Sequence, residues 1–270
     1  MPFPDAKRVI YNKNPLIQVV CQLRFPRILS INEREPVSFQ ERIKGEYQIY
    51  SVITELEGQF EFGPVNTDGT PPVPRVTQSV NSKNHRFSSD DGNWHVNLTP
   101  TVMALSTSKY SRWEDFNEKL KEPLSAFEDL YDPPFYERIG LRYVDAFRRS
   151  ELGLEGVDWA ELIQPSVSGF LSDEHIRGDI NSYNSLTELD IGSGATAQIR
   201  SALGYVGGVE NGFPRTNSEL AFIIDSDMFF PRKNIDDLDA SLAYLHDIST
   251  KLIRTMITDK LHDAMEPEEI

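Results

Sequence analysis

From Pro15 to Phe25 the chain alternates: Ile17, Val19, Cys21, Leu23 and Phe25 are apolar, with Gln18, Gln22 and Arg24 among the residues between them. A period of two sends these sets to opposite faces of a strand. The pattern returns at "YERIGLRYVDAFRR" (136–149), where Ile139, Leu141 and Tyr143 alternate with Arg138, Gly140 and Arg142. The first half of the chain predicts further strands at 76–80, 85–89, 94–98 and 101–107, with Asp91-Gly92 as a hairpin turn. The second half predicts strands at about 177–191, 195–206 and 218–229, the first two joined by Gly192-Ser193-Gly194.

Elsewhere the period lengthens to that of a helix. Pro36 opens one that presents Phe39, Ile43 and Tyr47. Ser111 and Glu114 have capping-box spacing ahead of a helix carrying Trp113, Phe116, Leu120, Phe127 and Leu130, which Pro123 is expected to kink. Asp158 can cap a short helix with Trp159, Leu162 and Ile163. A long final helix places Leu238, Leu242, Leu245, Leu252, Met256 and Leu261 on one stripe, with His246 beside it as a packed histidine.

The order of elements therefore repeats, and Leu23-Arg24-Phe25 answers Leu141-Arg142-Tyr143. The expected fold is α+β, in two pseudo-repeated β-α-β(3–4)-α halves at 1–131 and 136–264, with a disordered tail at 265–270. Such halves most simply form one antiparallel sheet with helices on one face. That arrangement resembles the TATA-binding-protein-like and helix-grip folds, a likeness of fold that carries no function. Two separate α+β domains joined near 132–134 are the alternative.

Composition narrows the function classes. The 270 residues are 39% apolar and 26% charged, as in a soluble globular protein, and no apolar run reaches the length of a membrane span. The first residues lack the apolar core of a secretion signal, so a cytoplasmic, bacterial protein is expected. A net charge of −15 repels phosphate backbones and argues against nucleic acid as a partner. The one cysteine, Cys21, excludes an internal disulfide and a cysteine-based zinc site, and its place on an apolar strand face predicts a buried, inert thiol.

Candidate chemistry lies on the polar strand faces. Arg24, Arg138, Arg142 and Arg200, with His95, are expected on the helix-free face of the sheet, where guanidinium forks suit carboxylates or other anions. Gly140 between two arginines would let a ligand approach closely. The favoured reading of these charges is a cross-strand lattice that keeps the face solvated. His95 has no serine or cysteine partner evident in the sequence. Glu188, Asp190, Asp225 and Asp227 pair at strand spacing and could together hold Mg²⁺ or Mn²⁺ for phosphoryl transfer or hydrolysis. "IGSGATA" (191–197) joins two strands and opens no helix, so it reads as a hairpin and not a phosphate loop.

The stretches "NPLIQVVCQLRFP" (14–26), "YSRWEDF" (110–116), "RIGLRY" (138–143) and "LHDISTKLIRTMI" (245–257) resemble a sporadically distributed family of uncharacterised bacterial proteins of about this length. The resemblance implies an accessory role, such as defence or toxin immunity, and no catalytic residue. The resulting expectation is a non-enzymatic binding or regulatory module without a cofactor, whose sheet face meets a protein partner encoded nearby. The alternatives are the metal-dependent enzyme and a helix-grip pocket for a small apolar ligand between the sheet and the last helix.

Overall fold

The computed structural model describes residues 3–33, 35–54, 83–206, 209–210, 213–214 and 218–269. The turn-rich stretch 63–75 and the strand expected at 76–80 lie outside the described residues. Among the described residues, nine strands form one sheet: β1 (Leu16–Arg24), β2 (Ile49–Thr54), β3 (Lys83–Ser88), β4 (Trp94–Leu98), β5 (Val102–Thr107), β6 (Tyr136–Phe147), β7 (Asn184–Gly192), β8 (Ala195–Val206) and β9 (Glu219–Lys233). The spatial order is β2-β3-β4-β5-β1-β6-β9-β8-β7, and every pair is antiparallel.

The two strands that share a sequence pattern, β1 and β6, are neighbours at the centre, with Cys21 opposite Leu141 and Leu23 opposite Ile139. Outward from them, β5, β4 and β3 follow on one side and β9, β8 and β7 on the other. Both parts of the chain thus build one sheet over one apolar core, and the alternative of two separate domains is set aside.

The main helices are α1 (Val37–Ile43), α2 (Trp113–Tyr131), α3 (Leu238–Met256) and α4 (Asp259–Ala264). They cover the face predicted from the alternation. Val19, Cys21 and Leu23 of β1, Ile139 and Leu141 of β6, and Ile224 and Met228 of β9 are buried there. Phe127 of α2 meets Phe25 at 4.6 Å between ring centres. Leu238, Leu242, Leu245, Leu252 and Met256 of α3 are buried as their spacing predicts. No helix among the described residues is long and apolar enough to cross a membrane.

Cys21 is completely buried, and desolvation pushes its thiol up to about 12. Native protein should therefore resist a thiol reagent near neutral pH and react fully after denaturation. Rapid labelling of the native form in a mass-spectrometric time course would contradict this placement of β1.

Several local expectations change. The Ser111–Glu114 capping box does not form: Ser111 Oγ donates instead to Asp115 Oδ2 at 2.7 Å, and Glu114 is held by Arg8 at 2.7 Å. Residues 177–183 are not strand; Arg177–Asp179 make a 3₁₀ turn, tied by the Arg177–Asp158 ion pair at 2.8 Å. The last helix ends at Met256, and Leu261 belongs to α4, which Thr258 caps by accepting from the Leu261 amide. The tail expected to be disordered is ordered at least through residue 269. Met265 is buried, and Pro267–Glu269 pairs with Val9–Tyr11 in a two-stranded ladder. The N-terminal segment supplies the partner that the tail alone does not reveal.

Candidate ligand pocket

The helix-free face answers why β6 carries two arginines. β9 lies beside β6 with Asp227 opposite Arg142 and Asp225 opposite Val144, and both aspartates project to that face. Arg142 grips Asp225 through two bonds, Nε to Oδ1 at 2.6 Å and Nη2 to Oδ2 at 2.8 Å. Arg138 reaches Asp227 at 2.5 Å and Gln22 at 3.0 Å, and its guanidinium lies 4.5 Å from the ring centre of Phe229. The space above Gly140 is therefore filled: a Cβ there would lie 2.0 Å from Arg138 Nη1. Gly140 admits its neighbour's side chain, not an outside ligand.

Arg200 adds a longer contact to Asp225 at 3.8 Å. Arg24 stands directly across from Arg138 on the adjacent strand and makes no ion pair among the described residues. Asp225 keeps only 6% of its side-chain surface exposed, so its grip by Arg142 is more than a solvated surface pair.

The four carboxylates of the metal reading are spread and engaged. Asp225 and Asp227 serve the arginines. Glu188 accepts from Gln198 Nε2 at 3.0 Å, and Asp190 accepts from the Gly192 amide in the hairpin at 2.8 Å. Glu188 lies two strands from Asp227, roughly 10 Å at normal strand spacing, with Gln198 between them. No group of three or more metal-ligating side chains occurs among the described residues. His95 does have a serine partner, which the sequence did not reveal: its Nδ1 lies 2.8 Å from Ser88 Oγ across the β3–β4 pair. Burial, then the nearby Arg86 charge, lower the His95 pKa and favour its neutral form.

A different set of residues gathers on the helix side. A half-enclosed cavity of about 110 Å³ lies among the N-terminal segment, β6 and α3, lined by Tyr11, Tyr110, Tyr143, Asp145, His246 and Arg254 among others. Asp145 continues the inward series Ile139, Leu141, Tyr143, so its carboxyl sits where the alternation calls for an apolar side chain. It is only 6% exposed and makes no hydrogen bond or ion pair among the described residues. Desolvation alone pushes its pKa up to about 7.

Most of the surrounding polar atoms are engaged, although His246 Nε2 is buried without a hydrogen-bond partner among the described residues. Tyr11 Oη and His262 Nδ1 are 2.8 Å apart, and Tyr143 Oη and His246 Nδ1 are 3.1 Å apart. Tyr110 and Tyr143 meet edge-to-face at 5.9 Å. His246 stacks on Trp113 at 4.7 Å, as a packed histidine should, and burial lowers its pKa to about 4. At the rim Lys7 pairs with Glu269 at 2.6 Å, and Arg254 turns outward to Asp259. A larger groove of about 610 Å³ runs between α2 and α3, but its half-buried acid, Glu128, already accepts from Tyr136 Oη at 2.7 Å.

No protein-family model matches the chain, and no curated protein matches it. The chemistry of the site therefore rests on its geometry. Of the sequence-derived candidates, the structure joins Arg138 with Asp227 and joins Arg142 and Arg200 with Asp225. Arg24 lies opposite Arg138 without an ion pair among the described residues, and His95, Glu188 and Asp190 lie apart from these pairs. Asp145 was missed, although a single acid on the apolar side of a regular alternation was a legible signal.

Proposed function

We propose that this protein is a binding module whose ligand is a small molecule held in the cavity beneath α3. The observation that carries this reading is Asp145: a buried carboxyl without a partner among the described residues, facing space large enough to admit one. A buried acceptor left unsatisfied costs stability, and a ligand that donates to it recovers that cost. The sheet face, where a protein partner was expected, has less to offer, because most of its charges are satisfied within the chain.

An internal duplication at the register of Leu23 and Leu141 fits this reading. Tyr143 then corresponds to Phe25, whose ring packs against Phe127. Both positions hold buried aromatic side chains, but Tyr143 borders the cavity, as expected if one copy kept a structural role while the other acquired a site.

The test is a thermal-shift screen with fragments of about four to eight non-hydrogen atoms, comparing native protein with Thr250→Trp. Thr250 lines the cavity from α3, and the larger side chain would occupy it. At least one fragment at about ten times its Kd should stabilise native protein by about 1.4 kcal/mol and leave the variant unchanged. Equal responses in both proteins, or none in either, would overturn the proposal.

A further inference from the structure

The geometry points to a small organic ammonium ion, a protonated primary amine, as the ligand class of this cavity. The inference rests on the pocket reading above and specifies its chemistry. The cavity wall presents the Asp145 carboxyl with no donor bonded to it among the described residues, beside the unpartnered His246 Nε2. Asp145 Oδ atoms face it unpaired, whereas the Tyr11 and Tyr143 hydroxyls are already held by His262 and His246. A ligand must bring a donor to be held there, and a charged donor is favoured over a neutral one at a carboxylate. The tyrosine rings add aromatic surface, which attracts an organic cation through its ring quadrupole. An anion would meet the carboxylate and gain nothing from it.

Among the described residues, no cation already fills that role. Lys7 and Arg254 also line the cavity, but their charged ends are turned to Glu269 and Asp259 at the rim. The space of about 110 Å³ has room for several water-sized groups. A three-carbon amine fits that volume.

The pH dependence follows from the groups facing Asp145. From β6 and the neighbouring loop these are Tyr143 and Tyr110, from the N-terminal segment Lys7 and Tyr11, and from α3 His246 and Arg254. Burial raises the three tyrosines, so they stay neutral near pH 7, and His246 stays neutral above about 4. His262, behind Tyr11, is also lowered from its ordinary value. Between about pH 5 and 8 the group in the cavity that changes charge is Asp145, with a pKa of about 7. An ammonium ion binds its carboxylate form, so affinity should be constant above pH 7. Below it, affinity should fall about tenfold per pH unit, because each binding event must release a proton.

The experiment is a calorimetric titration of the intact chain with propylammonium chloride, 1-propanol and sodium propionate at about pH 8, 6 and 5. Propylammonium should bind with a Kd in the millimolar range or below, within the reach of so small a ligand, and at least about tenfold more tightly than propanol. Asp145→Asn should remove that preference, and with it the pH dependence. Propanol binding as tightly as the amine, with both lost in Thr250→Trp, would overturn the ammonium assignment and leave the pocket standing. Amine affinity unchanged in Asp145→Asn would also overturn it. No binding by any of the three, with no response in the fragment screen, would sink both readings.

Discussion

Replacing Asp145 with asparagine is expected to stabilise the protein at pH 8 and to do progressively less as the pH falls. The carboxyl ordinarily titrates at 3.8 and is pushed up to about 7 by burial. Well below pH 3.8 it is protonated in both folded and unfolded chains and has no differential effect. As pH rises from 4 to 7, the unfolded chain releases the proton while the folded chain retains it, and stability is lost. Three pKa units correspond to about 4 kcal/mol, an upper bound because water entering the cavity eases the ionised form. A gain of about 2–4 kcal/mol at pH 8 would raise Tm by roughly 5–10 °C in a chain of this size. The decisive measurement is the Tm difference between variant and native protein at pH 4.5 and 8. An equal difference at both values would show that Asp145 is not the desolvated group described above. The same substitution is expected to abolish the amine preference, so the residue trades stability for binding.

Arg142→Ala should act in the opposite direction. Asp225 would remain in its nearly enclosed position without its two charge-assisted bonds, keeping only the 3.8 Å contact with Arg200. Breaking one side of a buried pair costs about 3–5 kcal/mol. Because Arg142 is about a third exposed and Arg200 persists, a loss of about 2–4 kcal/mol is expected here. The double variant Arg142→Ala/Asp225→Asn should recover most of that loss, since no unpaired charge then remains. Chemical denaturation of the native, single and double forms measures the coupling. A single-variant loss below about 0.5 kcal/mol would mean the pair behaves as an ordinary surface contact.

The strand faces were legible because a period of two leaves little freedom when one side must be buried. Val19, Cys21 and Leu23, and then Ile139 and Leu141, announce their orientation without reference to any neighbour. The turns at Asp91-Gly92 and Gly192-Ser193-Gly194 were legible for a related reason. Gly92 and all three residues of the second turn adopt positive φ, which these residue types tolerate. Pairing was not legible. Whether Arg142 meets a carboxylate depends on β9 lying beside β6, and nothing local to either strand states that adjacency. The Ser88–His95 contact depends in the same way on the register of β3 against β4. The cavity is less legible still, because its walls come from Tyr11, Tyr143 and His246, which only tertiary packing brings together. Only Asp145, out of pattern on an apolar face, marked the place in advance.

The position of β1 bears on how the chain is made. It is the first strand of the sheet to leave the ribosome, yet its two neighbours are residues 102–107 and 136–147. At synthesis rates of roughly 5–20 residues per second, the interval before either can pair with it is on the order of 10 s. Throughout that time Val19, Cys21, Leu23 and Phe25 form an unsheltered apolar ridge with both backbone edges free, a segment prone to join another nascent chain. The first strand of the sheet to be made thus waits for both neighbours until residue 147 has followed it.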